Sequence, residues 1–444
     1  MNLRSNAFLL SVIVALHLVL GLAYAFVTPY RTPGFYTASR SVIPDVGAPD
    51  ERQHVNYIQW LVDGKGFPVF DPKDPQLGEH YQSHQPPLFY LLETGVAKVT
   101  GQTDLSTRTA GSMLRSFNVL IGCGTVVGVY FLAFWGFRRG DIALTAAAFT
   151  ALLPMNLALS GAVSNDPLLY CLCTWCLAVT ALGLKEGWTL KRGIAVGLLM
   201  GLAFLTKTTA LALIPALLVT LYFSGAPKPS LKVVGVTAAI ALILAVPWWL
   251  RNQSLYGDLF AMKAFNQAFV GAPTREMLGA DWRSYIIEWV GWWTARSFIG
   301  MFGYMDIRLP VIVYQVGLLA FVALAVGGLL ALRQSEWKEF RPANMLNAVF
   351  LIVVVVLFAG FNVRFFQGQA RYLFPALGPI SIGLALGLVY FSKKQWKVSL
   401  AAWMVVLVCL NLYVVARLLP EQFARRTGAV ITTSMNFQQS KTVL

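Results

Sequence analysis

Asp50 and His54 stand four residues apart in the run Pro49-Asp50-Glu51-Arg52-Gln53-His54. On a helix, that spacing puts both side chains on one face. A carboxylate at a helix N-terminus stays ionised, which suits a general base or a metal ligand. Asp50 and Gln53 also fit a capping box, and Val55, Ile58, Leu61 and Val62 form an apolar stripe ending at Gly64. A capped surface helix therefore explains Asp50 without chemistry. It leaves Glu51 and His54 unexplained.

Further reactive types follow. Tyr81-Gln82-Ser83-His84-Gln85-Pro86-Pro87-Leu88 closes the same polar stretch. Either Ser83 caps a helix that starts near Pro86, or His84 and Gln85 face the pocket of Asp50. Asn165-Asp166-Pro167 reads as a helix start, with Asp as cap and Pro in the first turn, or as a second carboxylate at the bilayer edge. Lys207 interrupts an apolar run. An ionisable residue there is functional by default, with snorkelling as the alternative. Such a cation suits a lipid phosphate. Arg251 and Arg371 carry the same two readings. Gln367-Gly368-Gln369-Ala370-Arg371-Tyr372 is too polar for a mere helix end.

The elements that position these groups are apolar. Of 444 residues, 57% are hydrophobic and 12% charged, and mean hydropathy is +0.62. Soluble domains carry about 25% charged residues, so the chain is a polytopic membrane protein. The net charge of +15 does not point to nucleic acid, because the cations cluster between apolar runs, as topology requires. Windows of roughly 20 apolar residues recur. They predict spans over Ala7–Val27, Ser112–Phe137, Ile142–Val163, Pro167–Leu184, Val233–Leu250, Pro310–Leu332, Met345–Phe361, Tyr372–Phe391 and Val398–Val415. Gly193–Phe223 splits into two short helices with Lys207 at the turn, giving about eleven spans in all. Ala23-Tyr24-Ala25 admits a cleaved signal peptide, but the apolar run is longer than the usual ~7–15 residues. Cys171, Cys173 and Cys176 lie in an apolar window with no disulfide framework or metal site indicated.

The positive-inside rule puts the turns at Arg138, Lys185–Arg192, Lys228–Lys232, Arg333–Lys338–Arg341 and Lys393–Lys397 in the cytoplasm. The loops 28–111 and 251–309 then fall outside, together with the turns that carry Asp166, Lys207 and Arg371. Amphipathic helices are expected in the first loop. Trp292, Trp293, Arg296 and Phe298 suggest an interfacial helix in the second. The expectation is an all-α, multi-pass cell-membrane (plasma or inner membrane) protein. It has one integral domain over 1–418, a polar tail over 419–444 and an extracytoplasmic site.

In order and sidedness these motifs resemble the lipid-phosphosugar-dependent glycosyltransferases of the C-type membrane fold, in particular the protein O-mannosyltransferase and aminoarabinose transferase group (glycosyltransferase family 39). The resemblance rests on Asp50-Glu51 opening a large loop after the first span, and on the Tyr81 to Pro-Pro-Leu-x-Tyr segment. It continues through Asn165-Asp166, Gly201-Leu202-Ala203-Phe204-Leu205-Thr206-Lys207, Trp249-Leu250-Arg251-Asn252 with Tyr256-Gly257-Asp258, and Gly368-Gln369-Ala370-Arg371-Tyr372-Leu373-Phe374-Pro375. It covers roughly Ala7 to Phe391.

The resemblance implies a polyprenyl-phosphate sugar as donor and a glycan, lipid or protein as acceptor, in glycan biosynthesis of the cell envelope. It makes Asp50 the catalytic carboxylate, with Glu51 beside it and Asp166 as a second acid. His54, Tyr81, His84, Gln85 and Tyr372 would contact substrate, and Lys207, Arg251 and Arg371 would lie near the phosphate. A divalent metal between Asp50 and Asp166 is one way to balance the leaving charge; lysine and arginine are the other. Related sequences often place Lys directly before Pro-Pro, where it contacts the lipid phosphate. Here Gln85 holds that position, after His84. Relatives often also carry a large soluble C-terminal domain, which this sequence does not show. Two alternatives remain at the level of sequence: a transporter or lipid flippase, and an inactive family member serving as an assembly subunit.

Overall fold

Within hydrocarbon every backbone N–H and C=O must find its partner inside the protein, so long apolar runs fold as helices. The computed structural model describes residues 3–31, 35–36, 42–43, 47–268, 273–334 and 339–425. Lys338 and the tail over 426–444 lie outside the described residues. All the expected apolar segments are helical. Seven helices are long and apolar enough to cross a membrane, or up to eight if the bent pair Gly140–Leu152 and Pro154–Ser160 is one span. One of the seven, Ala370–Arg425, holds two expected spans either side of a break at Lys393. Leu190–Phe204, of 15 residues, and Thr208–Phe223 are the two short helices expected around Lys207.

Three boundaries differ from expectation. Ile142–Val163 is not one helix: Pro154 removes a backbone donor, and the two halves meet at 63°. Pro247 does not end its helix, which runs over Leu231–Tyr256. The last helix continues past the expected boundary at 418, to residue 425.

The helix Asp166–Glu186 is the axis of the bundle. Its apolar window is 78% buried, against 17% for Val311–Leu332 at the periphery. At one end of the axis Arg138 and Arg192 both pair with Glu186, and Lys185 stacks on Phe340. Those cationic turns thus share an end of the molecule. Asp166 opens the axis at the other end.

Over that opposite end lie Glu51–Val62 and Leu88–Val99, the two amphipathic helices of the first loop. They pack through stacked Tyr57 and Tyr90, with ring centroids 3.7 Å apart. Arg115, on the helix Arg108–Phe137, grips Glu51 in a bidentate pair, Nε to Oε1 at 2.7 Å and Nη2 to Oε2 at 2.6 Å. Among the described residues the sheet content is two short antiparallel pairs, Phe35–Tyr36 with Val42–Ile43 and Met301–Phe302 with Ile307–Arg308.

Candidate active site

Asp50 precedes the first turn of Glu51–Val62 but does not cap it. Its backbone is left-handed, at φ 62°, and its side chain makes no bond to the helix N-terminus. Gln53 turns away as well and donates to the Gly78 carbonyl at 2.7 Å. The expected capping box is therefore absent. The left-handed residue aims the carboxylate off the helix axis, at a backbone cost of roughly 1–2 kcal/mol. Such strain concentrates at functional sites. Asp50 Oδ2 accepts from Arg371 Nη2 at 2.7 Å.

Arg371 links two acids. Its Nη1 stands 3.9 Å from Asp166 Oδ2, and Asp166 Oδ1 accepts from Lys207 Nζ at 2.6 Å. Asp166 is buried at the head of the axial helix, and no side-chain cap is present there either. Tyr170, one turn down the same helix, donates to the Arg371 carbonyl at 2.8 Å and fixes that loop. The result is a row of alternating charge: Lys207, Asp166, Arg371, Asp50. The guanidinium lies between the two carboxylates, where a shared divalent ion would sit. Among the described residues no group of three or more His, Cys, Asp or Glu could hold a metal. The arrangement does not fit a metal bridging Asp50 and Asp166.

Two cavities meet at this row. One, of about 540 Å³, is lined by His54, His84, Gln85, Lys207 and the apolar flank of the helix Arg341–Arg364. The other, of about 630 Å³, is lined by Gln53, Trp293, Tyr304, Gln367 and Gln369. Asp50, Tyr81, Arg371 and Tyr372 line both. They form the wall between an amphiphilic chamber and a polar, aromatic one.

The histidines are neutral parts of the first chamber. Burial pushes His54 down to about 3, against a smaller opposing pull from Asp50, and its Nδ1 pairs with the Tyr90 hydroxyl at 3.0 Å. Burial lowers His84 to about 4, and its ring packs between Phe70 and Phe265. Burial also raises the Tyr81 hydroxyl well above its ordinary range. Ser83 sits in the single turn Tyr81–His84 and caps nothing, since Pro87 precedes the helix Leu88–Val99.

Two expected site residues lie elsewhere. Both Glu51 oxygens bind Arg115, and Oε1 also accepts from the Val163 amide at 2.9 Å. Glu51 lines neither cavity. Arg251 donates to the Phe67 and Pro68 carbonyls at 3.3 and 2.8 Å and stacks on Trp248, so it anchors the loop at 67–68. Sequence reasoning missed Arg115, although a cation inside an apolar span was signal enough. It noted Gln53, Gln367 and Gln369 separately but did not foresee that the three share one polar wall.

A family described as "Predicted membrane protein (DUF2142)" matches residues 72–378. The chain belongs to this family. The matched segment contains Asp166, Lys207 and Arg371 and starts after Asp50. Among curated proteins, none matches by sequence. Solved structures do match by fold. ArnT from Cupriavidus metallidurans bound to undecaprenyl phosphate superposes with a TM-score of 0.56 at 17% identity, over 92% of this chain and 65% of that one. The oligosaccharyltransferase AglB from Archaeoglobus fulgidus, in complex with an inhibitory peptide and a dolichol-phosphate, gives 0.56 at 14% identity, over 92% and 55%. The same archaeal enzyme tethered to an acceptor peptide gives 0.54 at 14% identity, over 92% and 54%. The chain thus spans between half and two thirds of the length of these structures. This DUF2142 protein has the C-type membrane glycosyltransferase fold, as the resemblance implied.

Proposed function

We propose that this protein transfers a sugar from a polyprenyl-phosphate carrier to an acceptor hydroxyl at the outer face of the cell membrane. One observation carries the reading: the Asp50 carboxylate stands on the wall shared by the two cavities. A group bound in one cavity can meet a group bound in the other only there. The amphiphilic chamber suits a lipid-linked donor, and the polar aromatic chamber suits the acceptor. Likeness of fold to ArnT with undecaprenyl phosphate and AglB with a dolichol-phosphate supports the assignment of donor class.

In the reaction, Asp50 takes the acceptor proton as general base. The freed oxygen bonds to the anomeric carbon from the face opposite the phosphate, while the bond from that carbon to the phosphate oxygen breaks. Configuration inverts, and the carrier leaves as a lipid monophosphate. Arg371 holds Asp50 Oδ2 and leaves Oδ1 to receive the proton. Lys207 offers fixed positive charge at the donor chamber, where the phosphate gains charge as it leaves.

Transfer from a radiolabelled polyprenyl-phosphate sugar by the purified full-length protein is the test. Asp50→Asn should lose transfer by at least about 100-fold. It should keep the fold, because Asn tolerates the left-handed backbone nearly as well as Asp. Transfer by Asp50→Asn at the wild-type rate would remove Asp50 as the base.

A further inference from the structure

The row Lys207, Asp166, Arg371, Asp50 cancels in charge, two cations against two carboxylates. The amphiphilic cavity carries one more cation, Arg364. It is exposed, and no carboxylate pairs with it among the described residues. Arg364 is the last residue of the helix Arg341–Arg364, and its position is fixed. Asn362, two residues earlier, is buried and accepts from the Gln367 amide at 2.9 Å, while its carbonyl takes the Tyr285 hydroxyl at 2.6 Å.

Below Arg364 the same helix lines the cavity with Val356, Leu357, Phe358 and Phe361. Val356 and Leu357 are 62% and 44% exposed. A helix of 24 residues is about 36 Å long, against a hydrocarbon core of about 30 Å. Arg364 therefore lies at the membrane boundary, above an apolar wall. That is the shape of a site for an anionic head on a long apolar chain. Across the cavity, Thr209 Oγ1 is buried without a partner. Gln85 is neutral and already engaged, accepting from Asn165 Nδ2 at 3.4 Å and meeting His84 Nε2 at 3.2 Å.

We propose that Arg364 holds the phosphate of the lipid-linked donor, the role that the resemblance gave to a lysine before Pro-Pro. This rests on the reading of this cavity as the donor site. The guanidinium offers a planar pair of donors to the phosphate oxygens, and the chain runs down Val356 and Leu357. An arginine that merely snorkels at a helix end would leave ligand binding untouched.

Binding to the purified full-length protein in nanodiscs is the experiment, with a polyprenyl monophosphate and inorganic phosphate as separate probes. Arg364→Gln should weaken the lipid probe about 10-fold or more without moving the melting temperature, because the side chain is exposed. Restoring a cation opposite, in Arg364→Gln with Gln85→Lys, should recover part of that loss. Recovery nowhere would mean that position 85 does not reach the phosphate, overturning the exchange of roles. Equal lipid binding by Arg364→Gln and wild type would overturn the role of Arg364 and leave the donor cavity standing. Free phosphate bound as tightly as the lipid would overturn the amphiphile site. A wild-type protein that binds neither probe would overturn the donor reading itself.

Discussion

Arg371 Nη2 and Asp50 Oδ2 are 2.7 Å apart across 321 positions of sequence. Nη1 of the same guanidinium faces Asp166 at 3.9 Å, so one planar group sets the distance between two acids from distant parts of the chain. Lysine keeps the charge but not the fork. Arg371→Lys can hold one carboxylate and not both. It should lower transfer about 100-fold through misplacement of Asp50, with donor binding changed far less. Single-turnover rates measured beside donor affinity would separate the two. Wild-type turnover in Arg371→Lys would show that the fork does not position the base.

The buried Glu51–Arg115 pair should show as stability. Both side chains are 2% exposed, and Arg115 also donates to the carbonyls of Ala25, Thr28 and Pro29 at 2.8, 2.6 and 3.0 Å. Removing one partner leaves the other charge buried, which costs about 3–5 kcal/mol. Glu51→Gln should therefore lower the melting temperature of the detergent-purified protein markedly. The double variant Glu51→Leu with Arg115→Met should melt higher than either single change. If Glu51→Gln melted with the wild type, the pair would not anchor the helix behind Asp50.

The sequence singled out several of the residues that meet at the row of charges, but not how each one faces. Lys207, Asp166 and Arg371 were legible because charge inside or beside apolar runs is costly and stands out. The pattern of cations at alternate turns supplied the ends of the bundle before any coordinates. Asp50 was legible as a candidate for chemistry, but the capping alternative fails, since the letters Asp-x-x-Gln do not encode φ. Glu51 was misread because its partner, Arg115, lies 64 positions away, and a residue adjacent to a catalytic candidate looks like an accomplice. Arg251 was misread because its acceptors are backbone carbonyls at 67–68, which no side-chain pattern reveals. Arg364 was not singled out from the sequence. Only the cavity shows what it faces.

Acid should destabilise this protein through His54 and His84, which the fold holds neutral. In the unfolded chain a histidine takes its proton near 6.5. In the fold, burial delays His54 to about 3 and His84 to about 4. Between those values the unfolded form binds more protons than the folded one, so stability rises with pH. The contribution is complete above about 6.5 and drains away as pH falls towards 4 and then 3. At pH 5 each histidine should cost about 2 kcal/mol relative to pH 7.5. Melting temperatures of the wild type should fall between pH 7.5 and 5, and His54→Gln should flatten part of that slope. The same neutrality means that no inflection near 6.5 in the transfer rate should come from His54. A melting curve indifferent to pH across this window, or a His54→Gln slope as steep as wild type, would show that His54 is protonated in the fold and that its side of the donor chamber is open to water.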